Sequence, residues 1–202
     1  MSDLESRLAG KPSSNWHALR GELLERAGSE NLIDLAYERH ESPFGALLVV
    51  AGEGGIVRIG LDAEAEEEIL EDLARRVSPR IALTGRDSVA VARQQLDEYF
   101  AGNLRHFDLP LDWQLTRGFR REVLRETAAI PYGSTASYAQ MAERAGSPRA
   151  VRAAGSALAT NPLPIVVPCH RVLRSDGSVG SYGGGSPMKA ALLAMERDRA
   201  GV

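Results

Sequence analysis

Residues 161–173 read NPLPIVVPCHRVL, and no other stretch of the chain restricts its own backbone as severely. Pro162, Pro164 and Pro168 each lock φ at about −65° and each remove a backbone donor. A side chain placed directly after such a run is held in one orientation, and that position is taken by Cys169, the single cysteine among 202 residues. One cysteine rules out an internal disulfide and any zinc site built on several thiolates. A lone cysteine is most simply a small buried hydrophobe. His170 and Arg171 argue otherwise, because both are costly to bury without a purpose. A cationic neighbourhood also favours the thiolate, the reactive form of the side chain. If the segment is extended, Cys169 and His170 point to opposite faces. Proton transfer between them then needs a bridging water or a local turn.

With 44% hydrophobic and 25% charged residues, the composition is that of an ordinary globular chain, long enough for one large or two small domains. The N-terminal MSDLESRLAGKPSS lacks the apolar core of a signal peptide. No apolar run approaches the ~20 residues that cross a bilayer. A reducing location is therefore expected, cytoplasmic or, in a eukaryote, nuclear, with no membrane partner. The net charge of −3 divides unevenly: residues 1–100 carry 11 Lys+Arg against 19 Asp+Glu, residues 101–202 carry 13 against 8. A basic C-terminal half suits a polyanionic partner, although ordinary surface variation produces the same imbalance.

Along the chain, Trp16, Leu19, Leu23 and Leu24 fall on one helical face, and Leu32, Ile33, Leu35 and Ala36 form a second short apolar stretch in a region that reads as helical. FGALLVVAGEGGIVRIGL reads as a hairpin turning at Glu-Gly-Gly. AEAEEEILEDLARRV is an amphipathic helix, acidic at its start and basic at its end. RIALT adds a strand and SVAVARQQLDEYFAG a further helix. After the linker-like FDLPLDWQLT come TRGFRREVLRETAAI and then two short helices, TASYAQMAERAG and SPRAVRAAGSALATN, separated at Gly146. Ser147 and Pro148 suit the N-cap and first position of the second. Such a pair fits a helix-turn-helix, and equally a plain helical hairpin. The second helix is slim, with Arg149 and Arg152 among alanines and Gly155. That suits close approach to a sugar-phosphate backbone or a minor groove. RSDGSVGSYGGG reads as a turn, a short strand and a glycine-rich loop, and SPMKAALLAMERDR as the final helix. Glu196 near its end is a candidate orienter for His170, which gives a nucleophile, base and orienter set.

From IPYGSTASYAQMAERAG through NPLPIVVPCHRVL to GSVGSYGGG and LLAME, the chain resembles the O6-alkylguanine-DNA alkyltransferases over roughly residues 116–198. The hairpin and the helix before EYFAG resemble that family's N-terminal domain more loosely. The resemblance implies an α+β fold. An RNase H-like α/β domain with a helical N-terminal extension would occupy residues 1–107, a linker 108–115, and a winged helix-turn-helix domain 116–202. It implies irreversible transfer of an alkyl group from guanine O6 to Cys169, with no cofactor and no metal. His170 would take the thiol proton through a water, Glu196 would hold His170, and Asn161 would be a hinge. Tyr138 would help rotate the nucleotide and protonate the leaving guanine, and Arg152 would fill the emptied stack. Ser147, Arg149, Ala150, Ala153 and Gly155 would contact DNA. Pro164, Val172, Tyr182 and Gly183 would line the guanine pocket. The implied partner is double-stranded DNA containing O6-alkylguanine, bound by a monomer, with cooperativity left open. Gly183 departs from relatives that carry serine there, which leaves only a backbone N–H. The structural zinc of some members would lack its cysteines. The leading forty residues exceed what the simplest members need.

Three other functions compete with this one. A non-catalytic alkylated-DNA-binding protein would share the scaffold but lack the acceptor cysteine. A Cys-His-Glu hydrolase would turn over repeatedly and would have no use for Tyr138 and Arg152. A plain winged-helix regulator leaves Pro-Cys-His-Arg unexplained.

Overall fold

The computed structural model describes residues 14–30, 32–84 and 86–200. The first helix, α1 (Ser14–Ser29), forms as expected, but on its apolar face Leu19 and Leu23 are 51% and 66% exposed and Leu24 is half-buried. The Trp16 side chain lies outside the described residues. The second apolar stretch is not helical. Leu35 and Ala36 open strand β1 (Leu35–Ser42), which pairs antiparallel with β2 (Gly45–Gly52) and parallel with β4 (Ile81–Leu83). Pairing on both sides overrides a helical appearance, because the strand's polar residues find partners beyond the sheet. Arg39 donates to Glu66 at 2.6 Å, and Glu38 accepts from Arg93.

Those partners sit on two helices, α2 (Glu66–Arg76) and α3 (Asp87–Ala101). With β3 (Gly55–Gly60) the sheet order is β3-β2-β1-β4. Along β2 the side chains alternate: Leu47, Val49 and Ala51 join one core cluster with Leu96 and Tyr99 of α3, while Leu48 and Val50 join another with Ile69 and Leu73 of α2. A strand buried on both faces reads as one continuous apolar run, which is why LLVVA shows no alternation. The hairpin closes at Gly55, whose φ of +117° and contact with the Pro110 backbone leave no room for a Cβ.

The edge strand β3 is covered. Ile56 N–H donates to Pro110 O, and Asp112 N–H donates to Ile56 O, so the segment expected to be a linker runs along the sheet. Further along, Ile59 N–H donates to Pro162 O, from the proline-rich stretch itself. An edge satisfied in this way cannot template aggregation, and it ties the two halves of the chain together.

The second half holds α4 (Gly118–Ala128), β5 (Ala136–Ser137), α5 (Tyr138–Arg144), α6 (Val151–Ala159), β6 (Val172–Leu173) and α7 (Gly185–Ala200). Ser137 caps α5 in a reciprocal box with Gln140. Ser147 is not the N-cap expected of it. Residues 147–150 form a turn closed by Ala150 N–H to Ser147 O at 2.8 Å, and α6 begins only at Val151. Proline at the second position of a β-turn is as well accommodated as at a helix start, and here the turn wins. Ala154, Ala157 and Leu158 bury one face of α6 against α4 and α5, leaving Arg152 outside. No helix among the described residues is long and apolar enough to cross a membrane.

Candidate active site

Between α6 and β6 the proline-rich stretch does not run as a strand. It winds through turns, with Val167 N–H donating to Leu163 O at 2.8 Å, and Cys169–Arg171 form a single 3-10 turn. Ile165 sits at φ +73°, a strained conformation for a β-branched residue, four positions before the nucleophile candidate. The local turn, rather than a strand with Cys169 and His170 on opposite faces, sets their relation.

Asn161 holds this turn from inside. Its Oδ1 accepts from Leu163 N–H at 3.0 Å, and its Nδ2 donates to Val167 O at 2.9 Å and to Cys169 Sγ at 3.1 Å. Arg58 of β3, paired with Glu64, donates to the Asn161 carbonyl at 3.4 Å. The thiol is buried. Burial raises its pKa, and Asn161, the Lys189 ammonium and the backbone N–H groups of Cys169 and His170 offset this only in part. The resting sulfur is therefore a thiol and needs a base to become a nucleophile.

His170 is fully buried beside it. Its Nε2 meets Glu196 Oε1 at 3.0 Å, whereas its Nδ1 is buried with no hydrogen-bond partner. Burial lowers the imidazole pKa, with Glu196 acting in the opposite sense, so the ring is a neutral base. Arg171 does not serve the sulfur. Its guanidinium donates to Glu196 at 2.8–3.2 Å and to Ile130 O at 2.5 Å. The cation facing Cys169 is instead Lys189 of α7, fully buried, its Nζ donating to Val172 O at 2.6 Å. Sequence reasoning missed Lys189, although its spacing to Leu192 and Glu196 places it on the buried face of α7. It also missed Tyr99 of α3, whose hydroxyl donates to Glu196 Oε1 at 2.6 Å.

Burial works against the charged Glu196 carboxylate, but hydrogen bonds from His170 and Arg171 outweigh it and hold the group down at about 2. An unfolded Glu titrates near ~4.3, so its contribution, on the order of 3 kcal/mol, is present above ~4.3 and lost as pH falls toward 2. A histidine kept neutral contributes above its unfolded value of ~6.5 and less below it. The urea midpoint is therefore expected to decline below pH ~6.5 and more steeply below ~4.3. A midpoint flat from pH 7 to 3 would contradict this coupling.

Two openings flank the C-terminal end of α6, and Ala159 lines both. One cleft, about 560 Å³, reaches Cys169, Asn161, Pro164, Tyr182 and Gly183. Val172 does not line it; its side chain is fully buried and its carbonyl is bound by Lys189. The other groove, about 510 Å³, is lined by Tyr138, Arg152, Gly155 and Arg174, the last also missed from sequence. Ser147, Arg149, Ala150 and Ala153 lie outside both openings, on or just before α6, with Arg149 and Ala153 exposed. Tyr138 is half-buried, and burial, followed by the Cys169 thiolate when it forms, raises its pKa, so it remains a proton donor. A Cβ at Gly180 would overlap Tyr138 Oη and reach its Cζ and Cε2 at 3.0 and 3.1 Å. Gly180→Ala is thus expected to displace Tyr138 or the loop, lowering reaction at Cys169 about tenfold with a small change in Tm. An unchanged rate would show that the loop yields freely.

The chain matches two family models, "6-O-methylguanine DNA methyltransferase, ribonuclease-like domain" over residues 35–113 and "6-O-methylguanine DNA methyltransferase, DNA binding domain" over residues 118–198. It is 39% identical to the constitutive methylated-DNA–protein-cysteine methyltransferase of Bacillus subtilis, across 80% of this chain and 94% of that one. It is 50% identical to the methylated-DNA–protein-cysteine methyltransferase of Mycolicibacterium paratuberculosis over 54% of this chain and 65% of that one. The crystal structure of Mycobacterium tuberculosis O6-methylguanine methyltransferase superposes with a TM-score of 0.68 at 34% identity, over 82% of this chain and 94% of that one. The M. tuberculosis protein in complex with DNA gives the same TM-score at 36% identity, over 81% and 94%. The fold is α+β, with a ribonuclease-like N-terminal and a DNA-binding C-terminal part, and the chain belongs to the 6-O-methylguanine DNA methyltransferase family.

Proposed function

We propose that this protein repairs DNA by direct reversal, moving the alkyl group of O6-alkylguanine onto Cys169 once per molecule. The observation that carries this reading is one buried constellation. A protonated thiol held by Asn161 lies beside a neutral His170 whose Nδ1 is unpaired and whose Nε2 is committed to Glu196. The O6 atom of guanine lies inside the duplex, so the nucleotide must be turned out into the cleft at Pro164, Tyr182 and Gly183, with Arg152 closing the stack it leaves.

His170 takes the thiol proton through a water, and Sγ attacks the alkyl carbon as the carbon–O6 bond breaks. The electron pair stays on the purine, where a proton from Tyr138 neutralises it. A thioether is not hydrolysed as a thioester is, so each protein reacts once. Residues 116–202 form the catalytic domain, linked through 108–115 to the N-terminal 1–107. The protein acts as a monomer, in a compartment that keeps Cys169 reduced, cytoplasmic or nuclear.

The test is repair of a duplex carrying one O6-methylguanine, compared with free O6-alkylated base. Arg152→Ala is expected to slow the duplex reaction at least about tenfold while leaving the free base within about twofold. Equal losses on both substrates would remove Arg152 from its wedge role, and no reaction with alkylated duplex by the unmodified protein would overturn the proposal.

A further inference from the structure

Tyr99 belongs to α3, in the ribonuclease-like half of the chain, yet its hydroxyl is at the heart of the reactive network. The side chain is fully buried. Its ring is fixed by Phe107 at 5.1 Å, Phe100 at 5.4 Å and Tyr132 at 6.0 Å between centroids. Packing of that kind leaves the hydroxyl one position, 2.6 Å from Glu196 Oε1 and 3.4 Å from His170 Nε2.

A phenol carries one proton. At 2.6 Å from a carboxylate that proton is committed to Glu196, so Tyr99 Oη can only accept from His170. The other neighbour of Nε2, Glu196 Oε1, is also an acceptor. Two acceptors facing one ring nitrogen require that nitrogen to bear the hydrogen, which leaves Nδ1 as the basic one. Nδ1 is the buried atom with no partner of its own.

We propose that Tyr99 is a positioning residue for the transfer reaction: its hydroxyl fixes His170 in the Nε2–H tautomer and tempers the carboxylate behind it, so that Nδ1 stays a moderate, unprotonated base. The proposal rests on the alkyl-transfer reading for its rate assay, but not for the tautomer it assigns. Other groups face the same atoms and are unchanged in the test. Arg171 of the 3-10 turn, Lys189 of α7, Cys169 and Tyr182 surround His170. Arg171, Tyr132 and the Gly133 N–H, at 3.2 Å, surround Glu196. Removing the Tyr99 proton returns electron density to the carboxylate, which strengthens its hold on an imidazolium. His170 then becomes harder to deprotonate.

Tyr99→Phe retains the ring and loses only the hydroxyl. It is expected to move the acid limb of the pH–rate profile for single-turnover methyl transfer from duplex O6-methylguanine upward by about half a unit to one unit, which slows the reaction about threefold to tenfold on the acid side of that limb. Phe107→Leu disturbs the same ring packing with the hydroxyl in place. It is expected to lower Tm and leave that limb where it is. Independently of any variant or substrate, ¹⁵N spectra of the histidine-labelled wild-type protein should show His170 protonated at Nε2 and bare at Nδ1. A bare Nε2 would overturn the proposal, as would a Tyr99→Phe rate within twofold of wild type with an unshifted limb, or a Phe107→Leu limb shift equal to that of Tyr99→Phe. Absence of transfer by wild type alongside the Nε2–H spectrum would instead count against the alkyl-transfer reading alone.

Discussion

Cys169→Ser is expected to reduce alkyl transfer to background while leaving the fold and the affinity for DNA in place. Serine is slightly smaller and keeps a hydroxyl within reach of Asn161 Nδ2, which donates to the sulfur at 3.1 Å. Its proton is far harder to remove than a thiol's, and burial already disfavours an anion at this position. A neutral imidazole removes a thiol proton far more readily than a hydroxyl proton, and oxygen is a weaker nucleophile than sulfur toward a saturated carbon. The DNA contacts proposed for α6 and for the groove of Tyr138, Arg152 and Arg174 do not involve the substituted atom, because Cys169 does not line that groove. Binding of alkylated duplex, followed by fluorescence anisotropy, should stay within about twofold of wild type. Transfer by the serine variant above a few per cent of the normal yield would mean that another group accepts the alkyl.

Glu196→Ala is expected to have the largest effect on stability. The carboxylate receives Arg171, His170, Tyr99 and the Gly133 N–H, and it is 1% exposed. Its removal leaves a buried guanidinium with the Ile130 carbonyl as its remaining hydrogen-bond partner. Breaking one partner of a buried pair costs about 3–5 kcal/mol, because the other charge is stranded. In a chain of this size that corresponds to a Tm lowered by about 10 °C. Glu196→Gln keeps the shape and one acceptor, so it should cost less stability yet still slow transfer about a hundredfold through His170. Replacing both partners, Glu196→Leu with Arg171→Met, should recover much of the stability and none of the activity. A double variant no more stable than Glu196→Ala would show that the pair itself, not its stranded half, supports the fold.

How much of this was legible in the sequence depends on whether each feature is local. The hairpin, the acidic amphipathic α2 and the Pro-Cys-His-Arg stretch were legible because turn residues, helix charge bias and a lone thiol among prolines each act over a few residues. Strand β1 was not, because YERHE satisfies its charges through Arg39–Glu66 and Glu38–Arg93, pairs separated by 27 and 55 positions. Ser147 and Pro148 suit a turn and a helix start equally well, and only the packing of α6 decides between them. The relation of Cys169 to His170 depended on a 3-10 turn that the Asn161 side chain stabilises from eight residues away. Lys189 left a readable trace, a lysine on an otherwise buried helix face. Tyr99 left none, since it meets His170 across 71 positions of chain.

Single-use alkyl transfer to one sulfur is tested most directly by mass spectrometry of the protein after reaction with excess duplex containing O6-methylguanine. One added methyl group per molecule is expected, on the peptide carrying Cys169, with an equal amount of guanine restored in the DNA and no further reaction. More than one guanine restored per protein, or a methyl group on any residue other than Cys169, would refute single-use transfer to this sulfur.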